Sequence, residues 1–199
     1  IFGAGGVGKT TLLREFAHLA TQAGARIVQL DARNIEAAPD LFLTALERAL
    51  AIPTEQTLLS FLAAQTSHLV LLIDTIELLT PIDSWLRDDF LPQLPSHVLV
   101  VMAGRNPPAP AWRIDPGWQT MMRVLPLRNL NSQETRDFLL RRQIPAAEHE
   151  AVLNFTHGHP LALSLVADGY AQLPSARFQP EHAPDVIKTL LGHFIEKTP

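Results

Sequence analysis

Gly3-Ala4-Gly5-Gly6-Val7-Gly8-Lys9-Thr10 matches the pattern G-x-x-x-x-G-K-[ST] without a mismatch. Each position has a physical role in that pattern. Glycines let successive backbone N–H groups curl into a nest for an anion, with no side chain in the way. Lys9 would reach the β- and γ-phosphates of a nucleotide, and the Thr10 hydroxyl would face Mg²⁺. Thr11 follows, with its hydroxyl or N–H placed for the α-phosphate. Lys9 is also the only lysine before Lys188, so it is no generic surface charge.

Working outward, Leu12, Leu13, Phe16, Leu19 and Ala20 recur at helical spacing, predicting a helix from about Gly8. Its N-terminus would aim partial positive charge at the phosphates. Arg26–Leu30 reads as a strand closed by Asp31, and Pro39 opens a helical pattern that stops at Pro53. A further helix is expected over 54–66 and a short one around Trp85, Leu86 and Phe90. Two continuous apolar runs, Leu69–Ile73 and Val98–Ala103, are expected as parallel strands covered on both faces. The proline-rich stretch 104–117 is expected to be a loop, and Val124–Leu127 a last marginal strand.

After Leu130 only helical patterns remain. Asn131 or Ser132 caps one helix, with Glu134 placed for a capping box. Others are expected over 147–155, 160–171 and 184–196. The chain therefore divides into an α/β core of residues 1–127, a parallel P-loop NTPase sheet with helices on both faces, and an all-helical lid domain of residues 128–199. The chain opens on Ile1 and its first motif begins at Gly3, so a piece of a longer protein is expected, its first strand reduced to Ile1-Phe2.

Composition removes several function classes. The net charge is −4, far from the basic footprint of a nucleic-acid groove, and direct nucleic-acid binding is not expected. No apolar run approaches the roughly 18 residues of a membrane span. The absence of cysteine excludes disulfide frameworks, thiolate metal sites and thiol nucleophiles. With no signal-peptide pattern, a cytoplasmic location is the default. His157 and His159 flank a glycine without a third ligand at suitable spacing, which argues against zinc. Trp112 and Trp118, in the proline-rich stretch, are expected to fold back onto the core, with an interface to another domain or subunit as the alternative.

Asp74 closes the second strand as a Walker B aspartate would, placing a carboxylate opposite Thr10 across Mg²⁺. Three residues on, Glu77 is the candidate for orienting an attacking water, provided the chain turns sharply after the strand. Arg105 ends the third strand, where an arginine would sense or stabilise a γ-phosphate.

Together with Val124–Leu130 ahead of a helix, these motifs resemble the STAND-class signal-transduction ATPases, akin to NB-ARC and AAA+ modules. Gly158-His159-Pro160 resembles their GxP motif. The resemblance spans nearly the whole chain. It implies binding and hydrolysis of ATP to ADP with Mg²⁺, and Pro160 opening a lid helix against the nucleotide base. It also implies effector and sensor domains outside this chain, and self-association. The sequence departs from the family at Thr75, where an acidic residue is frequent, and it lacks the family's segment upstream of Gly3. Two rivals follow: a P-loop kinase for a small-molecule acceptor, and a nucleotide-binding scaffold without turnover. No guanine-reading N-K-x-D motif is present.

Overall fold

The computed structural model describes residues 1–172. The helix expected over 184–196 lies outside them. Contacts divide the chain into two units, one of residues 1–4 and 9–127, the other of residues 5–8 and 128 onward.

The first unit is built on three parallel strands, β1 (Arg26–Asp31), β2 (Leu69–Asp74) and β3 (Val98–Ala103), in the order β1-β2-β3. β2 lies in the middle and is buried along its five apolar residues. Side chains alternate along a strand, so its unbroken apolar run serves two cores. Leu69, Leu71 and Ile73 face one side, with Phe42, Leu46 and Leu50 of α2 (Pro39–Leu50). Val70 and Leu72 face the other, with Leu13 of α1 (Lys9–Gln22). Burying each such side chain stabilises the fold by about 1.5–3 kcal/mol. The register sets Asp31 beside Asp74, and Asp74 beside Ala103, so the three strands end level.

Phe2 lies between β3 and the segment 125–127. Its N–H donates to the Leu125 carbonyl at 3.0 Å, and its carbonyl accepts from Leu127 N–H at 2.7 Å. Gly3 N–H donates to the Gly104 carbonyl at 3.2 Å. The strand expected over Val124–Leu127 reduces to a bridge between Phe2 and Pro126. Proline has no N–H to extend a ladder.

Three other expectations are corrected. The helix expected over 54–66 is the shorter α3 (Leu58–Ala63), because Thr57 caps it by accepting from Ser60 N–H. The short helix near Trp85 belongs to a longer irregular run, with 3₁₀ turns at Ile76–Ile82, one α turn, α4 (Asp83–Trp85), a π turn at Leu86–Phe90 and a 3₁₀ turn at Leu91–Gln93. Pro81 and Pro92 each withhold an N–H within it, which disfavours one regular helix. The proline-rich loop contains α5 (Pro110–Ile114), and α6 (Pro116–Met121) follows. In both, proline occupies the first turn, where its missing N–H costs nothing. Trp112 is buried and its indole N–H donates to Asp83 Oδ1 at 2.8 Å, with Trp118 packed 4.9 Å away.

In the second unit, α7 (Ser132–Arg141), α8 (His149–Thr156) and α9 (Pro160–Gln172) enclose a core of Leu139, Val152, Ala162, Leu163 and Val166. Asn131 and Glu134 form a reciprocal capping box at the start of α7. No helix among the described residues is long and apolar enough to cross a membrane.

Candidate functional site

Within the first unit, five of the residues singled out in the sequence lie near the carboxyl ends of the strands. Lys9 begins α1, and its ammonium donates to the carbonyls of Gly3 at 2.7 Å and Ala4 at 2.8 Å. Partial burial lowers its pKa from the ordinary lysine value; Glu77 opposes that shift, Arg105 adds to it and Asp74 opposes it. These are the charges gathered around the amine. Thr10 and Thr11 follow in the exposed first turn of α1.

Asp74 ends β2 with both carboxylate oxygens engaged. Oδ2 accepts from the Thr10 hydroxyl at 2.6 Å and Oδ1 from the backbone N–H of Thr75 at 2.8 Å. A hydroxyl and a carboxylate oxygen converging at the head of a helix form a hard-oxygen set of the kind Mg²⁺ takes. Thr10 and Asp74 are therefore the residues that fit a divalent cation.

Thr75 has φ 61°, ψ 39°, a left-handed conformation uncommon for a β-branched residue. It turns the chain directly after β2 and into the 3₁₀ run. Glu77 is thereby brought to the end of β3, where Oε2 accepts from Arg105 N–H at 3.2 Å and Oε1 lies 3.4 Å from Arg105 Nε. Glu77 is largely buried while the Arg105 side chain is 71% exposed, so the guanidinium reaches it from solvent. Beside Asp74, Asp31 pairs with Arg33, whose hydrogen bonds hold the carboxyl below its usual range.

The middle of the glycine loop belongs to the second unit. Gly5, Gly6 and Gly8 of this turn accompany a buried Val7. His159, immediately before α9, has Nε2 at 3.0 Å from the Gly5 carbonyl, and Leu161 N–H donates to the Gly6 carbonyl at 3.2 Å. Pro160, half-buried, opens α9. In the sequence His159 stands as the middle residue of Gly158-His159-Pro160 and as a histidine without the partners of a metal site, and neither points to Gly5. Gly6 was the available signal, being a glycine at a position the motif leaves free.

The parallel sheet, the glycine loop leading into α1 and the strand-end carboxylate make this a P-loop NTPase fold. Among solved structures, the chain is similar to domain III of the replication initiation protein DnaA from Thermotoga maritima, at 18% identity and a TM-score of 0.58. That match covers 92% of this chain and 79% of the other. It is also similar to the RuvB Holliday junction branch migration motor of the same organism, at 17% identity and a TM-score of 0.52. There it covers 96% of this chain and 59% of the motor. No protein-family model and no curated protein matches the chain.

Proposed function

We propose that the chain is an ATP-binding and ATP-hydrolysing switch module of the STAND type, within a larger signalling or transcription-regulatory protein. The observation that carries this reading is the convergence in one unit of Lys9, Thr10, Asp74, Glu77 and Arg105, around the start of α1 and the ends of β2 and β3. Backbone N–H groups of residues 3–8, with Lys9, bind the phosphates. Thr11 attends the α-phosphate and Pro160 the base. Thr10 and Asp74 would hold Mg²⁺, which when bound would neutralise phosphate charge. Glu77 orients the attacking water, and Arg105 stabilises charge on the transferred group. Residues 1–127 act as the nucleotide core and residues 128–199 as the helical lid domain. Effector and sensor domains outside this chain, and self-association, complete the switch in the cytoplasm.

Replication and branch migration, in the names of the two similar structures, describe those proteins; with identities of 18% and 17% the likeness concerns the fold. A non-hydrolysing scaffold is favoured by one observation, the engagement of Glu77 with Arg105 beside a threonine at position 75. The test is Mg·ATP binding by calorimetry. Lys9→Ala should abolish binding while circular dichroism and melting stay those of the parent chain. Unchanged affinity would remove the phosphate-loop assignment. Turnover by the parent chain separates switch from scaffold.

A further inference from the structure

We infer that His159 is a positioning residue of the glycine loop: its Nε2–H holds the Gly5 carbonyl and its ring fills the space over Gly6, fixing the peptide planes whose N–H groups receive a polyphosphate. The inference rests on the nucleotide reading above and concerns contacts within the second unit, to which Gly5, Gly6 and His159 all belong.

The geometry assigns the state of the ring. Nε2 lies 3.0 Å from the Gly5 carbonyl oxygen, which can only accept, so Nε2 carries the hydrogen. Nδ1 accepts from the Ala162 N–H at 3.4 Å, so it carries the lone pair. His159 is thus the neutral Nε2–H tautomer, capping α9 with one nitrogen and holding the loop with the other. His159 is 2% exposed as a residue, and burial lowers its pKa, with the bond to Gly5 opposing that shift.

Holding a carbonyl also aims an amide. Among the described residues every peptide bond is trans. In a planar trans peptide the N–H points opposite to the C=O. Fixing the Gly5 carbonyl toward His159 therefore directs the Gly6 N–H away from it. The Gly6 carbonyl, held at 3.2 Å by Leu161 N–H, does the same for the Val7 N–H. Two consecutive donors of the loop are aimed by one three-residue stretch, 159–161.

The same contact explains a glycine that the motif does not demand. Gly6 has φ 75°, and a Cβ there would fall 2.7 Å from His159 Cε1 and 2.9 Å from Leu161 Cβ. Ring and loop occupy that space only because position 6 has no side chain.

Two variants separate the bonds that one ring makes. In His159→Gln the amide nitrogen stands where Nε2 was, keeping the donor to Gly5. In His159→Asn the side-chain oxygen stands where Nδ1 was, keeping the cap on α9. Mg·ATP affinity and melting temperature are measured for both, for the parent chain and for Lys9→Ala. The expected result is an affinity loss of about tenfold in His159→Asn, the scale of one neutral hydrogen bond, with melting close to the parent. His159→Gln should bind within about twofold of the parent and melt lower, by loss of the cap. Binding by His159→Asn equal to the parent overturns the inference, as does an affinity loss that tracks melting temperature in both variants. A parent chain that binds no Mg·ATP removes the nucleotide reading and this inference together, whereas a parent that binds with His159→Asn unaffected removes the inference alone. Should His159→Asn fail to fold, ¹⁵N NMR of the parent imidazole decides: the Nε2–H tautomer supports the inference and the Nδ1–H tautomer overturns it.

Discussion

The Thr10 hydroxyl donates to Asp74 Oδ2 across 2.6 Å, joining the first turn of α1 to the end of β2. This pair predicts how metal dependence responds to substitution. Asp74→Asn keeps the side-chain shape and removes the charge, so affinity for Mg·ATP should fall by roughly 10–100-fold, a scale typical of perturbed metal sites. ATP binding in the presence of a chelator should change little. Equal loss with and without metal would show that Asp74 is needed for the loop's shape rather than for the cation.

Glu77 and Arg105 predict a separation of binding from chemistry. Glu77→Gln should bind Mg·ATP like the parent and release phosphate roughly 10²–10⁴-fold more slowly, the usual worth of a positioned acid–base group. Arg105→Ala removes a mostly exposed partner, so its stability cost should stay under about 1 kcal/mol while turnover falls. Phosphate release at the parental rate from Glu77→Gln would take Glu77 out of the mechanism.

Acid sensitivity should appear at the start of α7. Glu134 accepts two bonds from Arg128 and one from the Asn131 N–H, and its carboxyl is pushed down from 4.5 to about 2 by Arg128 and then the Asn131 backbone. A carboxyl lowered on folding contributes stability above its unfolded pKa and loses it as pH falls through the folded value. Melting curves of the parent and Glu134→Gln should therefore differ above about pH 4.5 and converge near pH 2. A gap that persists at pH 2 would refer the effect to packing.

Gly158 should tolerate no side chain. At φ 70° an added Cβ would lie 2.0 Å from the Leu130 carbonyl oxygen. Backbone strain of about 1–3 kcal/mol would add to that overlap. Gly158→Ala should destabilise the helical unit by roughly 3 kcal/mol or more in urea titrations. A cost below 1 kcal/mol would mean that the turn shifts easily.

Much of this was legible in the residues. β2 follows from its apolar run, because a strand covered on both faces needs no polar alternation. β1, by contrast, carries an exposed Gln29, and β3, against the expectation of cover on both faces, exposes Leu99 at the edge of the three-stranded order. The Asn131–Glu134 capping box follows from local spacing. Prolines misled where they open helices, at Pro110 and Pro116, since the same residue also marks loops. Thr75 could not be foreseen in a left-handed turn, because β-branched residues avoid it. The conformation is imposed by the surrounding chain, and the meeting of Glu77 with Arg105 follows from it. His159 was equally hidden, its partner Gly5 being far away in sequence and offering only a backbone carbonyl.

The bridging of Phe2 also orders events in time. Its partners sit at Gly104 and at Leu125–Leu127, so closing that contact requires a long loop of chain whose entropy must be lost first. The hydrogen bonds of α1 and α2 are local, although helices of that length gain most of their stability from packing on the sheet. Phe2 thus cannot complete its pairing until residue 127 has been synthesised.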